Sequence, residues 1–454
     1  MASPSSSQTL TLTLDHLDHD HITTILLLLP FDSIVSFALT CKKFKSLALS
    51  ESLWELICRR DWGSGTVDLL LATLSENERR EFSYRKLYEK VSMLGSLSCR
   101  RLICKGGAFP KPRASHSLNL VSDWLVLFGG GCEGGRHLDD TWVAYVGNSR
   151  TIPVLTWHHV NSGLPGGRFG HSCTLVGKNS LILFGGINDN GSRLNDTWIG
   201  QILYESPYNI KVLWKPLEVG PYAPPPRGAH AACCIGDCMV LVHGGIGLHG
   251  MRLGDTWVLD LSGHACWHQM GTADRLAPSP RSGHTLTWVG GTHMAVLFGG
   301  RGEGYEVLND VWLFDVEGLP RWKELKLNLA PEFLNTMPPP RVGHSASLTL
   351  GNKILIYGGE DSQRRRKDDF WILDVPVLLQ SRAGLRNNTK GIWKQLNLVG
   401  ESPSFRAFHG ACTDLSGRFL YVFGGMVDGY PQLAEANSLR FDGESYQVEL
   451  ILNL

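Results

Sequence analysis

The chain has 454 residues, equal numbers of basic and acidic side chains, zero formal net charge and a pI near 7.3. That balance gives no electrostatic reason to expect nucleic acid or an anionic membrane as a partner. Eleven cysteines, an odd number without Cys-x-x-Cys pairs, and no recognisable export signal point to reduced thiols in cytoplasm or nucleus.

Residues 1–16 are Ser/Thr-rich, without a basic segment, and are expected to be disordered. The apolar run Ile25–Leu29 is far too short to span a bilayer. His16, His19 and His21 alternate with Asp15, Asp18 and Asp20. That stretch is better read as a polar, acid-rich helix start than as a metal tract.

Residues 17–62 carry helical spacing. Ile22, Ile25, Leu26 and Leu29 fall at i, i+3, i+4 and i+7. Asp18 or Asp20 can cap that helix and Pro30 stops it, while Asp32 can cap a second one bearing Ile34, Phe37 and Ala38. A third follows from Cys41 to Leu47, and Ser50 opens a fourth with Leu53, Trp54, Ile57 and Cys58. Four short helices bury too little surface to be robust alone, so a bundle this thin is expected to lean on a partner. Residues 63–96 read as a helical linker with a solvated charged stretch at Glu76–Glu81.

From residue 97 a different pattern repeats six times. Arg-x-x-His occurs at Arg113/His116, Arg168/His171, Arg227/His230, Arg281/His284, Arg341/His344 and Arg406/His409, at intervals of 54 to 65 residues. Each is followed by an apolar run ending in Gly-Gly, as in Phe184-Gly185-Gly186, and in five copies by an Asp two before a Trp, as in Asp255/Trp257. A second Trp stands at Trp157, Trp214, Trp267, Trp322 and Trp393. A repeat of that length with period-2 alternation implies four-stranded β-propeller blades that bury their faces only by stacking into a ring. Gly-Gly allows a positive-φ turn where a side chain would strike the next blade. The histidines, all in one register, are expected to pin neighbouring blades by hydrogen bonds. The sixth copy departs, with Leu439 where Trp is expected and no acidic partner. Either residues 99–105, with Cys99 in the Trp position, or Tyr446–Leu452 supplies the last blade's outer strand.

These motifs resemble the kelch repeat over residues 97–454, and Leu29-Pro30-Phe31-Asp32-Ser33-Ile34, Leu39-Thr40-Cys41 and Leu53-Trp54 resemble an F-box. Leu17-Asp18 stands where F-boxes usually have Leu-Pro. The resemblance, to plant F-box/kelch proteins without a flavin-binding domain, implies a mainly β fold: a six-bladed kelch propeller after a small α-helical F-box. It implies a non-catalytic substrate receptor of a Skp–cullin–F-box ubiquitin ligase, with no cofactor. Leu17, Leu29, Pro30, Ile34, Leu39, Cys41 and Trp54 would face a Skp-family adaptor and, through it, a cullin.

The loops joining second and third strands, with those entering each Arg-x-x-His strand, vary most between blades and would form the face that carries the target. Arg136, Arg252, Arg301, Tyr305, Arg364, Arg365, Arg366 and Tyr430 are the candidates, suited to an acidic or phosphorylated protein segment. The run Arg364–Lys367 also reads as a nuclear-import signal, or as a solvated loop offset by Asp368 and Asp369. A propeller scaffold without degradation, or a propeller enzyme, are the alternatives. No Cys-His or Ser-His-Asp set breaks the repeat symmetry.

Overall fold

The computed structural model describes residues 17–147, 154–206, 209–271, 276–325, 337–382, 391–428 and 439–453; the expected disorder of residues 1–16 lies outside them. Two compact units follow one another, the first ending at Met93 and the second spanning Leu94–Ile451.

The first unit is helical. Helix α1 (His19–Leu26) begins where the Asp18 carboxylate accepts the His21 amide at 2.8 Å, and it buries Ile22 and Leu26. At α2 (Phe31–Ala38) the N-cap is Pro30, and Asp32 sits in the first turn rather than capping. An acid there still favours the positive end of the helix dipole. The Cys41 sulfur accepts the Phe44 amide at 3.4 Å to start α3 (Lys42–Ala48), and Ser50 caps α4 (Glu51–Trp62).

The linker residues do not form a separate spacer. They make α5 (Ser64–Ala72), α6 (Glu76–Glu81) and α7 (Tyr84–Ser92), and α7 packs back on the bundle core. Tyr88 stacks between Phe31 (5.5 Å) and Trp62 (5.3 Å), and its hydroxyl donates to Asp61 at 2.8 Å. Glu51 accepts the Ser83 hydroxyl and the Tyr84 amide at 2.6 and 2.7 Å. The support expected from a partner therefore comes partly from the chain's own next helices, which enlarge a core too small by itself.

The second unit is a β-propeller whose strands pair as six antiparallel groups of four. The second group, for instance, runs Ser172–Val176, Ser180–Ile187, Arg193–Ser206 and Asn209–Pro216. The last comprises Gly410–Thr413, Phe419–Asp428 and Leu439–Leu450, completed by Ser96–Cys104 from the start of the unit. Residues Leu97–Leu102 lie antiparallel to Ser445–Leu450. Tyr446–Leu450 is thus part of the third strand, and the N-terminal segment closes the ring. Cys99 opposes Val448 as Trp322 opposes Phe314, so it does take the Trp position.

Closure is also written in the backbone at the axis. Two residues after each repeated Arg, the amide donates to the carbonyl of its counterpart in the preceding group. Gly170 donates to Ser115, Ala229 to Gly170, Gly283 to Ala229, Gly343 to Gly283, Phe408 to Gly343 and Ser115 to Phe408, all at 2.6–2.9 Å. All six have φ between 53° and 68°. The Gly-Gly turns behave as expected: Gly129 has φ 66°, and a Cβ there would sit 2.9 Å from the Arg168 carbonyl of the next group.

The histidines pin neighbours as expected, and the exceptions are informative. His171, His230, His344 and His409 each share a hydrogen bond with the hydroxyl of Ser117, Ser172, Thr285 or Ser345 in the preceding group, at 2.8–3.2 Å. For His284 the corresponding position is Ala231, which has no hydroxyl. There His243, standing where other repeats have Phe or Tyr, meets His284 at 3.0 Å. For His116 the corresponding residue is Gly410, and both ring nitrogens of His116 lack a partner. His243→Phe should therefore cost about 1–3 kcal/mol by orphaning His284. Adding Ala231→Ser should recover most of it in urea unfolding. Loss without recovery would show that His243 serves packing alone.

Candidate functional site

Five repeats carry one polar latch. Arg113, Arg168, Arg227, Arg281 and Arg341 each hold Asp140, Asp196, Asp255, Asp310 or Asp369 through two parallel bonds of 2.6–2.9 Å. The same guanidinium donates to the first Gly-Gly carbonyl, and the Trp indole two residues on donates to the Asp at 2.6–2.7 Å. Burial alone would raise the carboxyls of Asp140, Asp196, Asp255 and Asp369, but their Arg partners hold them below the ordinary Asp value. The latch ties the entry of the first strand to the base of the second-to-third-strand hairpin, which fixes where each hairpin tip stands.

The sixth repeat is not without its acid. Arg406 pairs with Asp442 at 2.8 Å and lies over the Tyr446 ring at 5.0 Å. Tyr446 opposes Val422 as Trp312 opposes Leu297, so Tyr446, not Leu439, occupies the Trp register. Asp442 opposes Gly425, the register held by Leu194, Leu253 and Leu308 in other groups, so the partner of Arg406 stands two residues before the usual Asp register, which Glu444 occupies.

On the hairpin tips, Arg136 is exposed, and Arg252 lies 4.4 Å over the ring of Tyr305, which is 70% exposed. Arg301 is half-buried and 3.3 Å from Glu360 of the next group. The run at 364–367 is not a uniform basic patch. Arg364 and Arg365 are exposed, but Arg366 is buried, pairing with Asp428 and, at 4.0 Å, Glu360. Lys367 and Arg365 both reach Asp361, at 3.0 and 2.9 Å, and hold its carboxyl down at about 2 against the opposing effect of burial. The offsetting acids are thus Glu360, Asp361 and Asp428 rather than Asp368 and Asp369; Asp369 belongs to the Arg341 latch. Tyr430 lies outside the described residues.

Inside the hairpin rim, the axis holds a cavity of about 330 Å³ lined by the six repeated histidines with Arg252, Arg301 and Phe408. Desolvation keeps these histidines neutral, with His171 and His344 at about 3 and the others also well below the ordinary value. Burial pushes the Cys99 and Cys173 thiols up to about 12, which removes thiolate character. Among the described residues, no group of three or more His, Cys, Asp or Glu is placed to hold a metal ion.

In the helical unit the adaptor candidates divide. Leu39 is 82% exposed and Cys41 is exposed, while Leu17, Leu29 and Pro30 are half-buried. Ile34 and Trp54 are buried in the core, where the Trp54 indole donates to the Ala48 carbonyl at 2.8 Å. They pack the bundle rather than face outward, with the Trp54 ring 5.7 Å from Phe31 and 5.4 Å from Tyr88. Leu28 and Val35 join Leu39 as exposed apolar residues. The uninterrupted Leu run at 26–29, apolar on more than one helix face, was the available signal for Leu28. No helix among the described residues is long and apolar enough to cross a membrane.

Comparison with known proteins agrees with both units. A family model described as F-box domain matches residues 14–56, close to the expected 17–62. One described as KLHDC2/KLHL20/DRC7 Kelch-repeats domain matches residues 151–332 and 292–448. An F-box/kelch-repeat protein of Arabidopsis thaliana is 50% identical, over 99% of this chain and 95% of its own. Adagio-like protein 1 of Oryza sativa subsp. japonica is 29% identical over 89% of this chain, which spans 61% of that relative's length. The solved structure of YjhT shares the fold at a TM-score of 0.52 and 14% identity, covering 74% of this chain and 95% of its own.

Proposed function

Because the chain belongs to the F-box/kelch-repeat family, we propose that it is the substrate-recognition subunit of a Skp–cullin–F-box ubiquitin ligase in cytoplasm or nucleus. The carrying observation is the pairing of two different surfaces on one chain. One is a helical unit with the exposed apolar side chains Leu28, Val35 and Leu39; the other is a rigid ring with variable hairpin tips. The helical unit docks a Skp-family adaptor, and the ring holds a target protein. The chain's contribution to ubiquitin transfer is proximity and orientation, and bond-making belongs to its partners.

Leu39→Asp tests the adaptor half better than any change at Ile34 or Trp54, whose truncation would also open a cavity worth about 2–5 kcal/mol. Loss of a central apolar anchor typically costs about 2 kcal/mol or more. Adaptor recovery should therefore fall by at least about tenfold, with the propeller's melting temperature unchanged. Recovery equal to wild type would remove the assignment. Purification with the proteasome inhibited, comparing wild type with Leu39→Asp, should find the target in both and its ubiquitinated form only with wild type. Arg364→Glu with Arg365→Glu is the appropriate probe of the tips, since both are exposed and Arg366 is not.

A further inference from the structure

The six axial residues that close the backbone ring are Ser115, Gly170, Ala229, Gly283, Gly343 and Phe408. Five are small, as a left-handed backbone at a crowded axis demands. Phe408 has φ 59° and carries an aromatic ring that reaches over Gly343, where a Cβ would meet the ring at 2.6 Å. A bulky residue held in that conformation is an outlier, and such outliers gather where a site needs them. The propeller could close with Gly here, as it does at three other positions. Closure therefore does not explain Phe408.

What Phe408 does contribute is an aromatic wall to the axial cavity. Val342 and Ile246 also line it, Arg252 and Arg301 stand in the lining, and no Asp or Glu does among the described residues. Arg301 is shared with Glu360, but Arg252 has no carboxylate partner among the described residues; it rests on the Tyr305 ring, and its Nε is buried and unpaired. His116 adds two buried ring nitrogens without partners, left so by Gly410. A cavity of about 330 Å³ is within the range of small-ligand sites, which combine apolar walls with a few orienting polar groups.

We propose that this cavity is a binding site for an anionic group carried on a compact aromatic body. Arg252 and Arg301 take the charge through charge-assisted hydrogen bonds, and Phe408 takes the ring by stacking. The site is argued from the propeller alone and stands or falls separately from adaptor docking.

Calorimetry on the full chain provides the test, with phenyl phosphate as the free probe and benzyl alcohol as its neutral counterpart. A capped peptide carrying one phosphotyrosine presents the same chemistry on a protein segment. Phenyl phosphate should bind saturably and benzyl alcohol should not. Arg252→Gln should weaken binding by at least about tenfold. Phe408→Gly relieves the backbone, so its melting temperature should hold or rise while phenyl phosphate affinity falls by a similar factor; a purely structural Phe408 would show neither. Tighter binding of the peptide than of phenyl phosphate assigns the anion to a target chain, and the reverse order assigns it to a free small molecule. No saturable binding of either, or equal binding by Arg252→Gln, overturns the proposal.

Discussion

A chain that begins at Leu102 should lose the cooperative melting of the propeller, whereas one that begins at Leu94 should keep it. The difference is the outer strand of the last group. Residues Leu97–Leu102 pair antiparallel with Ser445–Leu450, and Ser96–Cys99 pair parallel with Asn397–Gly400 of the preceding group. At its other end Ile103–Cys104 pairs with Val154–Leu155, in the segment that leads into the fourth strand of the first group. One strand thus joins the last two groups and meets the chain entering the first group's outer strand. Leu97 and Cys99 are buried, Arg100 bonds to Gln447 at 2.7 Å and the Arg101 amide to Glu401 at 3.0 Å. Each buried side chain contributes about 1.5–3 kcal/mol. Their loss with a strand's worth of ladder bonds approaches the whole stability of a typical domain, about 5–15 kcal/mol. It also exposes an unpaired edge that invites aggregation. Differential scanning calorimetry decides the matter: equal transitions for the two chains would mean that Ser96–Arg101 is not needed for closure.

The features legible in the sequence were those that recur at fixed spacing. The Gly-Gly turns, the His register and Cys99 in the Trp position all follow from alignment of one repeat on another, since each repeat solves the same packing problem. What escaped were facts of pairing rather than of pattern. Arg113 and Asp140 both recur in register, yet their 2.6 Å contact joins residues far apart in the chain, and only the folded hairpin brings them together. Asp442 was missed because it stands two residues before the usual Asp register, at a position where other groups have Leu, yet the fold still brings Arg406 to it. Arg366 reads as surface charge, but Glu360 and Asp428, on different hairpins, turn it inward. Trp54 has the same residue type whether it anchors a partner or fills a core, and burial alone assigned it to the core. The resemblance to F-boxes was sound for order of landmarks and uninformative about which faced out.

Acid should unfold the propeller at a pH well above the carboxylate range, near pH 5. The cause is the axial set of His116, His171, His230, His284, His344 and His409, together with His243. Desolvation first, and then neighbouring charges such as the repeated Arg side chains, hold all seven below the ordinary His value; His171, His243 and His344 stand at about 3. The sign follows from proton counting. Below about pH 6.5 the unfolded chain protonates these imidazoles, while the folded chain does not until far lower. Unfolding then takes up protons, so stability falls as pH falls through that window. Each such group contributes up to about 1.4 kcal/mol per pH unit. Several together match a stability of about 5–15 kcal/mol within one or two units below pH 6.5. The latch carboxylates cannot substitute for this: with folded values depressed, their contribution is present above the ordinary Asp value and is lost only as pH falls through the lower, folded one. Replacing His116, whose ring nitrogens have no partner, with Leu should lower the slope of unfolding free energy against pH by one proton between pH 5 and 6 in urea titrations. A wild-type midpoint below about pH 4 would place the acid sensitivity in the carboxylates instead, and the buried histidines would then have to be charged, or solvated, in the folded ring.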